Sequence, residues 1–233
     1  METTAAATYD FEKKTSKIYF LTTIFILSSV IQWCLLINLE SFEFLINPWL
    51  LLGGYIAFML IVTVVLVVDC TGKSLPSGLE WLFGILLVEI LVIALSITVD
   101  YADHIVLYIS LAVILICLVL LFVIGAKINL DHLPIFVLAV FSANMLLILL
   151  IFALIIIAKL FTKLYTMAFF AVTAIAYPIL IMNTLYVSML LKHDRYEIKT
   201  LTDCLKPALY IYGIFGAFVW FSISLGIVIN DML

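Results

Sequence analysis

Leu79 to Ile97 reads LEWLFGILLVEILVIALSI, and the fold turns on this stretch. It is about 20 residues long and apolar on every helical face, apart from Glu80 at its start and Glu89 at its middle. A helix rises about 1.5 Å per residue, so such a run crosses the ~30 Å hydrocarbon core of a bilayer. A membrane strand needs only about 10 residues of alternating polarity, a pattern this run lacks. A helix on the surface of a soluble protein would carry one polar face.

Six further runs have the same character, at roughly 18–38, 49–68, 104–125, 134–157, 164–190 and 207–229. With 79–99 they predict an all-α integral membrane protein, a bundle of seven transmembrane helices. Residues 1–17 then form a short cytoplasmic tail and 18–233 the membrane domain. The composition agrees. Of 233 residues, 67% are hydrophobic and 11% charged, against about 25% charged in soluble domains. Mean hydropathy is +1.35. The run after Lys17 is too long for the core of a signal peptide and reads as the first span.

The bases orient the chain. With the N-terminus cytosolic, the tail (Lys13, Lys14, Lys17), Lys73, Lys127 and the loop before the last span (Lys192, Arg195, Lys199, Lys206) lie inside. Only Lys159 and Lys163 lie outside. That asymmetry across short loops is the positive-inside pattern.

Few residues suggest chemistry. Cys34, Cys70, Cys117 and Cys204 lack zinc-site spacing, and His104, His132 and His193 share no ligand pattern, so neither metal nor cofactor is expected. No protease, nucleophile-elbow or phosphate-loop motif occurs, so the chain does not read as an enzyme. A net charge of −4 gives no reason to expect nucleic acid as a partner.

Glu89 stands out, because an ionised carboxylate at membrane depth costs several kcal/mol unless it faces the bundle, a donor or a cation. It reads either as part of an ion or proton pathway or as interhelical glue. Pro178 is expected to kink the sixth span and free the carbonyl of Ala174, with Asn183 and Thr184 a turn beyond. Gly213 and Ala217 suggest close helix packing, Tyr210 and Tyr212 interface anchoring, and Gln32 and Asn144 packing.

The order of these features resembles the transmembrane Bax-inhibitor-motif family, the lifeguard proteins. Phe11 to Leu21, FEKKTSKIYFL, is similar to the family's basic, aromatic entry to the first helix. Pro76 and Glu89 resemble the proline and glutamate of its third helix. Gly125 to Asp131, GAKINLD, resembles its Q-T-K-Y-D-F-T loop, with Lys127 matching. Met182-Asn183-Thr184 sits at its Y-D-T, and Ala208 to Tyr212, ALYIY, at its N-L-Y-L-D.

The resemblance implies an endomembrane location, in the endoplasmic reticulum or Golgi, with the plasma membrane as the alternative. It also implies calcium leak from stores and restraint of cell death, with calcium ions, lipid and other membrane proteins as partners. In the family a buried pair of aspartates latches the pore. Asn183 and Tyr212 stand at those positions, and an amide and a phenol do not titrate between about pH 6 and pH 8. The expected function is a calcium-leak or calcium-regulating protein, with Glu89 facing the cation and Asn183 and Tyr212 as a non-titrating gate. The alternatives are a non-conducting interaction or scaffold protein and a small-solute transporter, which would show discontinuous helices in matching halves.

Overall fold

The structure, a computed structural model, describes residues 2–37, 76–100, 104–128, 138–147, 149–150, 153, 162–192 and 202–230. Five helices are long and apolar enough to cross a membrane. They are α1 (Glu2–Ile37), α2 (Ser77–Asp100), α3 (His104–Gly125), α5 (Thr162–Lys192) and α6 (Leu205–Asn230). A shorter apolar helix, α4, covers Leu138–Leu147, and a 3-10 turn at Thr202–Cys204 leads into α6. The chain is thus all-helical over its described elements. Of the seven expected spans, 49–68 lies outside the described residues. Of the span expected at 134–157, residues 138–147, 149–150 and 153 are described, all of them helical, and the others lie outside the described residues.

Local chemistry sets the helix ends. The apolar window of α1 is Thr15–Leu35, yet the helix begins at Glu2. The strong helix former alanine recurs at Ala5, Ala6 and Ala7, so the expected tail is an extension of the first helix. At the head of α2 the Pro76 carbonyl accepts the amides of Leu79 (2.9 Å) and Glu80 (3.1 Å). Glu80 in that first turn complements the helix dipole. The end of α3 tightens into a turn, where Ala126, Lys127 and Ile128 donate to the carbonyls of Phe122, Ile124 and Gly125.

The described helices fall into two compact units, residues 1–101 with 197–216 and residues 102–196 with 217–233. In the first unit, α1 and the first half of α6 meet along their length. Thr22 Oγ1, which donates to the Ile18 carbonyl at 3.0 Å, lies 3.5 Å from the Ala208 carbonyl. Phe25 meets Tyr212 edge-on at 6.1 Å, and Trp33 stacks on Phe215 at 6.4 Å. Numbers rise together on the two helices, so they run in the same direction. Helix α2 does likewise: Gly84 lies against Leu205 and Leu209, and Gly216 against Leu91 and Leu95. The core is apolar and aromatic, with Ile18, Phe25, Trp33, Val92, Leu205 and Phe215 buried.

In the second unit α3 is one-sided. Leu107, Leu111, Ile114 and Leu118 form a buried stripe, while Ile105, Ile109, Ile116 and Val119 are exposed. The 3–4 spacing is that of one helix face. Both faces are apolar, a pattern compatible with lipid contact on the outer one. The C-terminal ends of α3 and α5 touch: Ser188 donates to the Phe122 carbonyl at 2.6 Å, and Gly125 lies against Leu185 and Ser188. Two membrane-crossing helices that end together run in the same direction.

Small residues set the close approaches, though not at the expected pair. Gly213 is exposed, and an added Cβ meets nothing within 4 Å. The packing glycine of that helix is Gly216, where a Cβ would lie 2.8 Å from Leu91 Cδ2. Gly213→Ala should therefore raise stability by about 0.5–1 kcal/mol, by removing a mid-helix glycine at no steric cost. Thermal unfolding of the purified variant checks this.

Candidate functional site

The polar groups of the first unit gather along one side of α1. Ser28 and Gln32 are one turn apart and share a face. The Gln32 amide donates to Glu89 Oε1 on α2 at 2.9 Å and to Ser28 Oγ at 3.4 Å. Glu89 is half-buried, as are Gln32 and Ser28. The carboxylate thus meets a neutral donor within the membrane. Its other oxygen, Oε2, accepts no hydrogen bond from the described residues.

Beside this cluster, Trp33 ties α1 to α2. Its indole donates to the Val92 carbonyl at 3.1 Å, and the side chain is fully buried. The next contact belongs to Tyr212. Its phenol lies 2.6 Å from Ser29 Oγ, and Ser29 Oγ lies 2.8 Å from the Phe25 carbonyl. The serine has one hydrogen and the carbonyl can only accept. Ser29 therefore donates to Phe25, and Tyr212 donates to Ser29. Tyr210, two positions away and on the opposite side of the helix, is exposed. The two tyrosines separate: Tyr210 fits the expected anchor, whereas Tyr212 is a core group.

Asn183 belongs to the second unit. Its side chain and that of Asn144 on α4 form a closed ring of hydrogen bonds, 2.9 Å in one direction and 3.0 Å in the other. Each amide gives its remaining hydrogen to a carbonyl on its own helix, Val140 for Asn144 and Ile179 for Asn183. Asn183→Leu should leave the Asn144 amide without its cross-helix partners and cost about 1–2 kcal/mol. Asn144→Leu combined with Asn183→Leu should recover much of that loss, because no amide is then stranded. Unfolding of the two variants side by side tests the coupling.

Pro178 lies inside α5, which continues as helix through it. The proline is exposed, while Asn183 and Thr184 are buried. Five residues at 100° each turn Asn183 far around the helix from Pro178. The proline and the buried amide therefore do not share a face. Helix α5 also lacks the break that a transporter-like span would show.

The candidate residues thus divide. Glu89 and Tyr212 lie in the first unit, bonded to Gln32 and Ser29, and Asn183 lies in the second, bonded to Asn144. Sequence reasoning took Gln32 and Asn144 as packing groups and missed them as partners. The usable signal was their type, since each is an amide within an otherwise apolar run. Cys34 and Cys117 lie within helices and Cys204 is fully buried in the turn before α6, none of the three in a disulfide. Among the described residues no group of His, Cys, Asp and Glu could hold a metal ion in the usual manner. The chain matches no family model, no curated protein and no solved structure.

Proposed function

We propose that the protein is a multi-pass membrane protein that passes small cations across an endomembrane, in the manner of the lifeguard proteins its sequence resembles. The observation that carries this reading is the Glu89 carboxylate. It sits within an apolar span, half-buried, and among the described residues its hydrogen-bond partner is an amide and not a base. Intramembrane carboxylates of this kind mark ion and proton pathways. The resemblance adds calcium as the first ion to test and a restraining role in cell death. The test is calcium flux through the purified chain in lipid vesicles. Flux that requires the protein supports the reading, and intact, folded protein in calcium-tight vesicles refutes it.

Helix directions support seven crossings with the N-terminus cytosolic. In the first unit α1 and α2 run the same way, and in the second α3 and α5 do, as a seven-span order requires of each pair. In the seven-span order Lys17, Lys73, Lys127, Lys192 and Lys206 all fall on the cytosolic side, which supports the orientation. Glycosylation sequons added after Leu233 should be modified, and sequons added before Thr15 should not. Modification at both ends would remove the odd number of crossings.

A non-conducting reading has one observation in its favour. The Asn144–Asn183 ring satisfies both amides internally, as packing glue does, and leaves neither as a transient ion ligand. Vesicles without flux would favour it.

A further inference from the structure

Among the described residues, one buried side-chain polar atom has no hydrogen-bond partner: Thr173 Oγ1 on α5. The residue is 3% exposed, and Phe169, Val172 and Ala176 beside it on the helix are buried as well. A helical threonine can give its hydroxyl to the carbonyl one turn back. Thr22 and Thr184 do so, to Ile18 at 3.0 Å and to Leu180 at 2.8 Å. Thr173 does not.

One turn further along α5 stands a second hydroxyl. Tyr177 is on the same side of the helix as Thr173, and its phenol lies 2.7 Å from Ser222 Oγ on α6. Its ring also meets Phe218 of α6 at 6.0 Å. All three hydroxyls lie within the apolar windows Met167–Leu191 and Leu205–Gly226. Their hydrogens can be counted. Tyr177 and Ser222 carry one each, and one of these makes their mutual bond, whichever group donates. The other is unspent, and so is that of Thr173. Within one helical turn of the second unit, two hydroxyl hydrogens thus have no acceptor among the described residues.

A stranded hydroxyl in an apolar interior costs free energy, so the arrangement calls for an acceptor. An ion does not suit it. Among the described residues no carboxylate stands in α3, α4, α5 or the second half of α6, and a charge there would stay uncompensated. The guest that fits is neutral, small and able to accept twice. A water oxygen has two lone pairs, and buried waters take two to four polar partners.

We propose that Thr173, Tyr177 and Ser222 form a binding site for one water molecule within the membrane, which joins α5 to α6 through three hydroxyls. The water accepts from Thr173 and from the unspent hydrogen of the Tyr177–Ser222 pair. The site uses no charged group and none of the residues around Glu89, so it stands or falls apart from cation flux.

The test is water-edited solid-state NMR of the full-length protein in lipid bilayers, with threonine isotopically labelled. Thr184 is the internal control: it is the same residue type on the same helix, fully buried, with its hydroxyl already given to a carbonyl. Thr173 should receive magnetisation from water, and Thr184 should not. Tyr177→Phe removes one of the three hydroxyls and should weaken the Thr173 signal. Thermal unfolding supplies a second readout. Thr173→Val keeps the shape of the side chain and should lower Tm by about 2–4 °C, through loss of one bridging hydrogen bond. Were the hydroxyl merely stranded, the same substitution would raise Tm, because an unmet donor is removed. Should Thr173→Val fold poorly, the comparison of the two threonines in the parent decides alone. No water contact at Thr173, equal contact at both threonines, an unchanged Thr173 signal in Tyr177→Phe, or a folded Thr173→Val with a Tm at or above the parent's each overturns the proposal.

Discussion

Glu89→Gln should reduce cation flux by about tenfold or more while leaving the helices intact. The substitution keeps size and shape. The new side chain still presents an oxygen to the Gln32 amide, which now donates to Glu89 at 2.9 Å. What changes is charge. A unit charge about 4 Å from a cation contributes about 1 kcal/mol in water and about 4 kcal/mol at an effective dielectric near 20. Even the lower figure approaches a tenfold change, and the half-buried position of Glu89 lies between these limits. The replaced oxygen also becomes an amide donor, which repels a cation. Tm should stay within about 2 °C of the parent, since one cross-helix hydrogen bond exchanges for another. Equal flux in a well-folded variant would leave Glu89 as interhelical glue alone.

Gly125→Val should be the most destabilising of the glycine substitutions. An added Cβ would lie 2.7 Å from Ser188 Cβ, 2.9 Å from the Leu185 carbonyl oxygen and 3.0 Å from Ser188 Oγ. The carbonyl belongs to the α5 backbone and cannot swing aside. The two helices must part, and the 2.6 Å bond from Ser188 to the Phe122 carbonyl is lost with the contact. Overpacking of this kind costs about 1–3 kcal/mol, and the branched side chain points to the upper end. Gly216→Ala is the control. Its added Cβ meets Leu91 Cδ2 at 2.8 Å, the far end of a flexible side chain, so a rotamer change relieves most of the overlap. Thermal unfolding should rank parent, Gly216→Ala and Gly125→Val in that order. A Gly125→Val protein as stable as the parent would mean that α3 and α5 do not pack through this glycine.

Helix type and approximate span ends were legible because hydrocarbon thickness fixes the length of an apolar run. The residues Leu79 to Ile97 lie within the α2 helix that they predict. Faces were not legible. In α3 the buried stripe of Leu107, Leu111, Ile114 and Leu118 is chemically the same as the exposed Ile105, Ile109 and Ile116. Lipid removes the polar contrast from which a soluble helix reveals its inside. Glu89 announced itself by cost, but its partner could not be read, because which helices adjoin is a matter of packing. Gln32 lies 57 positions away, and Asn144 lies 39 from Asn183. Gly213 and Gly216 show the same limit: both are glycines of one helix, and only the neighbour's position tells which is in the contact.

The same-direction packing of α1, α2 and α6 has a consequence for synthesis. Gln32 and Glu89 can meet as soon as α2 has entered the membrane, whereas Ser29 and Tyr212 are separated by 183 positions. At about 5–20 residues per second, roughly ten to forty seconds pass between the appearance of α1 and that of α6. Throughout that interval Phe25 and Trp33 lack their aromatic neighbours from α6. A nascent chain halted before Leu205 therefore carries an assembled carboxylate–amide pair on a helix pair whose aromatic side is still open to lipid. That half-built state is what an insertion factor would have to shelter and what a quality-control protease would be able to distinguish from the finished protein.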